Sequence, residues 1–216
     1  MAFRIEVVIG SVREGRAGER VARWIHGLAS RRPEFNAGLA DLKEPLLPIY
    51  AHAQSPKALE AAYPEPAARA WVEHVVRADG FLFVTPEYNH GYPPALKNAL
   101  DWAYAGWNRK PAGFVSYGGS SGGTRAVQQL RQVVIELQMA PLRAEVNIPF
   151  VGRAFDEAGN PRDELHAKRA AILLDELLWW TRALQVGRAA HPAATHVATT
   201  SPVAPAPVTP ASGARS

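Results

Sequence analysis

Three short segments of the 216-residue chain concentrate the residue types that can do chemistry. Residues 10–18 (GSVREGRAG) hold three glycines, one serine and two arginines. Glycine lets backbone amides converge, a following helix turns its positive dipole end toward the same point, and Arg13 and Arg16 can neutralise a dianion. That is phosphate chemistry. The spacing from Gly10 to Gly15 matches the first half of a nucleotide-triphosphate loop, but Arg16-Ala17 stands where Lys-Ser/Thr must reach the outer phosphates and magnesium. The loop is not G-x-G-x-x-G either, so a terminal monophosphate fits better than a pyrophosphate.

Residues 85–94 (TPEYNHGYPP) form the second segment. Pro86 and Pro93 stiffen it, and the amides of Tyr88 and Asn89 are expected to lack secondary-structure partners, which suits a flat heterocycle carrying several acceptors. Glu87 as a general base and His90 as a catalytic imidazole are the alternatives, but the sequence identifies no orienting partner for either. The third segment, 116–124 (SYGGSSGGT), has four glycines and three serines and also enters a helix pattern. It lacks the lysine of a triphosphate loop. Its Gly118-Gly119-Ser120-Ser121-Gly122 has the letters of a hydrolase elbow, yet Ser120 is followed by more loop, and no Asp…His order follows it except an unplaced His166.

The elements that must carry these segments alternate. Apolar runs Phe3 to Ile9, Gly80 to Thr85 and Gly113 to Ser116 are bounded by glycine or lead into these segments, as buried parallel strands are. Between them, Val21, Ile25 and Leu28 recur at helical spacing, and Val127, Leu130, Val134 and Leu137 share one face of a helix over 124–137. Pro93 and Pro94 precede ALKNALDW, where a first-turn proline costs no hydrogen bond. A last helix is expected to open at Asn160-Pro161, with Asp163 in its first turn, and to run through AAILLDELLWW. The second strand, Phe35 to Leu42, alternates loosely and carries Gly38. The stretch 45–66, with five prolines, reads as a long loop or short irregular helix. Strand followed by helix, repeated, gives a parallel α/β sheet covered on both faces, with ligands at the carboxyl ends of its strands.

Composition removes other classes. With no cysteine, there is no disulfide scaffold, thiolate metal site, iron–sulfur cluster or cysteine nucleophile. The net charge of +4 is spread among acids rather than gathered into a basic stripe, which argues against nucleic acid. No apolar run has the length of a membrane span, and the first residues do not form a secretory core, so a cytoplasmic location without membrane contact is expected. From 187 onward Ala, Pro, Thr, Ser and Val dominate, so 1–186 reads as the folded domain and 187–216 as a disordered tail. His191 and His196 fall there and lack the further ligands of a closed metal site.

Taken together, GSVREGR, TPEYNHGYPPALKNALDW and SYGGSSGGTRAVQQLR resemble the NAD(P)H-dependent FMN reductases of the flavodoxin-like superfold, over about residues 3–150. The resemblance implies a three-layer sandwich on a five-stranded parallel sheet, with FMN as cofactor and NADPH or NADH as co-substrate. It implies that Ser11, Arg13, Arg16, Ala17 and Gly18 take the phosphate. It implies further that Pro86, Glu87, Tyr88 and Asn89 line the isoalloxazine edge, while Tyr117, Gly118 and Gly119 border the ring from the other side. No protein acid, base or metal is required, because the flavin N5 carries the hydride chemistry. The acceptor would be a small molecule such as a quinone, azo compound, metal ion or free flavin. An electron carrier without nicotinamide turnover would share the same loops. A homodimer or homotetramer is implied, with Lys97, Asn98, Asp101 and Trp102 near the contact. Trp102, Trp107, Trp179 and Trp180 are assigned to core or interface packing. The weak second strand and the Pro-rich tail depart from the family pattern.

Overall fold

Alternation along the strands decides which helices cover which face, and the computed structural model describes the result for residues 2–59 and 62–191. The strands are β1 (Phe3–Ile9), β2 (Phe35–Asp41), β3 (Gly80–Pro86), β4 (Pro111–Tyr117) and β5 (Ala140–Ile148). All pair in parallel in the order β2-β1-β3-β4-β5, the flavodoxin-like order. Ile5, Val7, Ile9, Leu82, Val84 and Val115 face α1 (Gly18–Ser30) and α6 (Glu164–Ala190). Val8, Phe81, Phe83, Ala112 and Phe114 face the opposite layer, made by α3 (Pro66–Arg77), α4 (Pro94–Asp101) and α5 (Thr124–Glu136). A short helix α2 (Pro56–Leu59) interrupts the proline-rich stretch. The three-layer sandwich is as expected.

Gly38 explains the weak look of β2. It pairs in register with Glu6 of β1, and a Cβ at position 38 would lie 2.3 Å from Glu6 Oε2. The Glu6 carboxylate is fully buried, bonded by Arg4 Nε at 2.6 Å and facing His74 Nε2 of α3 at 3.0 Å. A side chain at 38 would displace that ion cluster, so the strand gives up propensity to make room for a charge.

Two elements lack a sequence expectation. β5 contains Pro141, which a central strand would not tolerate; as an edge strand it does, with Leu142, Val146 and Ile148 buried. Helix α3 starts on Pro66 at the end of the proline-rich stretch and buries Ala68, Trp71, Val72 and Val75. The last helix also differs. Its first helical residue is Glu164, and Asp163 is the cap, accepting from Leu165 N at 2.8 Å; Asn160-Pro161 belongs to the preceding turn, closed by Asp156 N to Asn160 O.

Helix α6 continues through Ala190, past the boundary drawn at 187. Arg188 holds that end by donating to Arg109 O at 2.7 Å and pairing with Asp79. The expected tail from 192 on, with His196, lies outside the described residues. Of the four tryptophans assigned to packing, Trp102 and Trp107 are buried, and Trp180 packs partly against the core. Trp179 is 62% exposed. Among the described residues, no helix is long and apolar enough to cross a membrane, and no group of His, Asp or Glu is arranged to hold a metal ion.

Candidate functional site

Because β1, β3 and β4 are parallel neighbours, the segments that follow them emerge at one sheet edge. Ser11 Oγ and Tyr88 Oη lie 2.6 Å apart, which joins the first segment to the second. The Arg13 guanidinium stands 5.4 Å from the Tyr88 ring centroid. The second segment joins the third through Glu87, whose amide donates to Tyr117 O at 3.2 Å. Its carboxylate accepts from Ser121 Oγ, from the Arg125 amide and, at 2.6 Å, from Arg125 Nε. The three loops are therefore one bonded unit.

Those bonds assign Glu87. Burial pushes its carboxyl up, but the hydrogen bonds from Arg125 and Ser121 and the Arg125 charge outweigh it and hold the group below the ordinary carboxylate range. Ionised and clamped on the first turn of α5, it is an anchor between loops and not a general base. His90 lies exposed in a turn at φ +70°, beside Asn89 at φ +51°. That turn is closed by Tyr88 N to Gly91 O at 2.8 Å and Gly91 N to Tyr88 O at 3.0 Å. Of the two amides expected to be free, Tyr88's is thus spent inside the turn.

At the first segment, α1 begins at Gly18 with no side-chain cap on its N-terminus, leaving first-turn amides for a ligand. Gly15, at φ +62°, has open space where a Cβ would sit. Arg13 is exposed and available. Arg16 is not: it donates to Ser11 O at 2.6 Å and pairs with Asp41, and its side chain is 7% exposed. Its guanidinium clamps the loop from within. Asp41, at the carboxyl end of β2, is the functional-loop residue that sequence reading missed; an acid ending a strand beside an arginine-bearing loop was the available signal.

Tyr117 also departs from expectation. Its side chain turns inward under α1 and is buried; its phenol occupies the space a Cβ on Gly18 would need, 2.3 Å away. Gly18 is required for that approach. Burial and the neighbouring Tyr88 keep the phenol above its ordinary range and hence protonated. What the third segment exposes is backbone around Gly118 and Gly119, with nothing within 4 Å of a Cβ on Gly119. Ser116 Oγ donates to Gly122 O at 2.8 Å and accepts from Asn147, so it is structural. His166 is buried in α6, and no contact links it to Ser120. The hydrolase arrangement is therefore not assembled.

Asn98 and Trp102, expected near a subunit contact, are spent within the chain. Asn98 accepts from Tyr50 N at 2.9 Å and donates to Pro48 O at 2.8 Å, and Trp102 Nε1 also donates to Pro48 O. Lys97 and Asp101 pair on the exposed side of α4. A groove of about 930 Å³ runs between α1 and residues 151–167 and meets the loops only at Gly15, Arg16 and Ala17. The loops themselves form a shelf that exposes Arg13, Gly15, Asn89, His90, Gly119 and Ser120, with Ser11, Gly18, Pro86 and Tyr117 buried beneath.

An uncapped helix end, an exposed arginine and open glycines leave room for a phosphomonoester with a flat group alongside. The chain is 38% identical over 148 residues to an NAD(P)H-dependent FMN reductase of Schizosaccharomyces pombe, covering 68% of this chain and 74% of that protein. It is 33% identical over 194 residues to a 2-hydroxy-1,4-benzoquinone reductase of Burkholderia sp, covering 86% and 100%. FerB, a flavoenzyme NAD(P)H:(acceptor) oxidoreductase from Paracoccus denitrificans, superposes with TM-score 0.68 at 24% identity, covering 84% of this chain and 98% of that one, and so shares the fold. The family model for NADPH-dependent FMN reductase matches residues 3–152, a span that runs from β1 through all three loops to the turn after β5. The chain belongs to that family of FMN-dependent, NAD(P)H-consuming oxidoreductases.

Proposed function

We propose that the shelf holds FMN with its phosphate on the N-terminus of α1, and that the acceptor reduced there is a quinone. The observation that carries this reading is the Ser11–Tyr88 bond at 2.6 Å, which sets the uncapped helix end and the second loop side by side. Ser11, Arg13 and the amides of Ala17 and Gly18 take the phosphate, and Arg16 shapes the loop around it. Pro86, Glu87, Tyr88 and Asn89 line one edge of the ring, and the backbone of Tyr117, Gly118 and Gly119 the other. Bound FMN supplies hydride acceptance from the nicotinamide and its onward delivery. The chain's own groups bind and orient; with Glu87 clamped by Arg125, none serves as an obligatory acid or base.

The quinone assignment draws on relatives named for quinone reduction, in Burkholderia sp and Arabidopsis thaliana. An exposed shelf accessible to a planar acceptor supports it. We also infer a homodimer or homotetramer in the cytoplasm. The segment pinned by Asn98 carries Leu46 and Ile49 outward at 61% and 76% exposure, beside the shelf-bearing α4.

The test is an absorbance spectrum after FMN reconstitution and gel filtration, then anaerobic addition of NADPH or NADH and of a benzoquinone. Retained flavin that bleaches and is reoxidised by the quinone supports the reading. Retained flavin that stays yellow with both nucleotides would make the protein an electron carrier. Equal FMN affinity in Arg13→Ala and wild type would remove Arg13 from the phosphate site.

A further inference from the structure

The groove between α1 and residues 151–167 has no part in the flavin shelf, yet it opens from the same first loop. Positions 16, 20, 24, 27 and 31 of α1 follow one another at steps of three or four residues, so they line one face of the helix, the face toward the groove. The middle of the groove is lined by backbone. Gly27 lies in the interior of α1, where glycine weakens a helix, and a Cβ there would have no neighbour within 4 Å; the same holds for Gly152 and Gly159 on the opposite wall. Trp24 is held edge-on by Phe155, ring centroids 5.9 Å apart, and gives the groove a fixed flat surface. Arg20 is exposed and, among the described residues, has neither a hydrogen bond nor an ion pair. Arg23 commits Nη2 to Glu19 at 2.6 Å, an exposed and therefore weak pair that leaves the other guanidinium donors available. Arg16 is already spent on Asp41, and Glu164 across the groove lies 3.7 Å from Lys168. Two guanidinium groups three residues apart on a helix repel each other until an anion stands between them.

We propose that this groove takes the adenosine end of the nicotinamide co-substrate, with Arg20 and Arg23 reading the 2′-phosphate that distinguishes NADPH from NADH and Trp24 walling the adenine beside Gly27. The proposal rests on the flavin reading, which puts the nicotinamide on the shelf. A dinucleotide with one end there carries its other end off the shelf, and the recess that leaves the first loop offers that end a flat wall for a base and cations for a phosphate. Charge selects the phosphorylated nucleotide. NADPH and NADH differ by one phosphomonoester, roughly −2 in charge near neutral pH, and Arg20 is the cation that the chain itself leaves unanswered. Arg31 lines the same groove eleven residues farther on, about 16 Å along the axis at 1.5 Å per residue. A groove that merely attracted anions would use Arg31 as much as Arg20; a 2′-phosphate held at Arg20 and Arg23 is out of its reach.

Two measurements on the full FMN-reconstituted chain test it: calorimetric titration with adenosine 2′,5′-bisphosphate or adenosine 5′-monophosphate, and steady-state turnover of NADPH or NADH. Wild type should bind the bisphosphate more tightly than the monophosphate. Arg20→Ala should weaken the bisphosphate about tenfold more than the monophosphate and shift the ratio of KM values about tenfold in favour of NADH. Arg31→Ala should leave both ratios at wild-type values. Gly27→Leu, which fills the groove without altering charge, should weaken both adenosine ligands and raise both KM values. Equal binding of bisphosphate and monophosphate by wild type overturns the proposal, as does a wild-type KM ratio in Arg20→Ala. A loss in Arg31→Ala equal to that in Arg20→Ala overturns it in favour of diffuse attraction. Unchanged KM values in Gly27→Leu place the adenosine outside the groove. A chain that retains no flavin overturns the flavin reading instead, and the titrations of wild type and Arg20→Ala still decide whether the groove holds an adenosine phosphate. Arg20 and Arg31 are exposed and position 27 is uncrowded, so the variants are compatible with folding, which flavin retention checks.

Discussion

At the residue scale, the informative positions are those where a side chain or its absence answers a buried charge. Gly38 exists to clear Glu6, so Gly38→Ala is expected to cost roughly 2–4 kcal/mol, the range for breaking a buried ion cluster or overpacking a core. In a Glu6→Ala background the same change should cost much less; equal costs in urea denaturation would detach the glycine from the carboxylate. Lys110 is the second case. Its ammonium is buried at the end of α3, donating to Val75 O at 2.8 Å and Val76 O at 2.9 Å. Burial and then repulsion from Arg188 bring it down to about 7, Asp79 offsetting only part. Between about 7 and the ordinary lysine value the unfolded chain binds more protons than the folded one, so stability rises with pH across that window. The denaturation midpoint should climb from pH 7 to 9 in wild type and stay flat in Lys110→Met; parallel slopes would remove Lys110 as the cause. Neither residue declares itself in the sequence, because a lone glycine or lysine has the same letter whether buried or free.

The elements divide by how much of their signal is local. β1, β3 and β4 are continuous apolar runs, and α1, α4 and α5 carry helical periodicity or a first-turn proline, so their positions were legible. β5 was not, because an edge strand with Pro141, Arg143 and Glu145 takes its stability from partners far along the chain. Glu176 of α6 accepts from the amides of Arg143 and Ala144 at 3.0 and 2.8 Å, and Arg131 of α5 donates to Leu142 O. These bonds blunt the open edge that would otherwise invite another strand. The proline-rich segment is likewise fixed from outside, by Asn98 of α4. Asn98→Ala is expected to lower stability by roughly 1–3 kcal/mol and to open residues 45–55 to limited proteolysis. An unchanged digestion pattern would mean that Trp102 holds Pro48 alone.

For the whole molecule, carboxylates tie layers and loops together, which sets its acid behaviour. Glu6 joins β1 to α3 and Glu87 joins the second loop to α5. Burial pushes the Glu6 carboxyl up, but bonds and charge from His74 and Arg4 hold it below its ordinary value of 4.5. A depressed carboxylate contributes its stability above that value and loses it as pH falls through the lower, folded one. Chemical denaturation between pH 6 and 3 should show that loss, with a shallower fall in Glu6→Gln; identical slopes would place the acid sensitivity elsewhere. The sequence by itself determined the alternation of strand and helix and the order of the three loops. It also determined the absence of cysteine chemistry, since each of these is written in local pattern and composition. Only the tertiary structure decided that Arg16 and Glu87 are clamps, that Tyr117 turns inward, and that Asn98 and Trp102 serve their own chain. A side chain's role depends on which charge, carbonyl or cavity the fold brings within about 3 Å of it, and the partner can lie far along the chain, as Pro48 does for Trp102, 54 residues away.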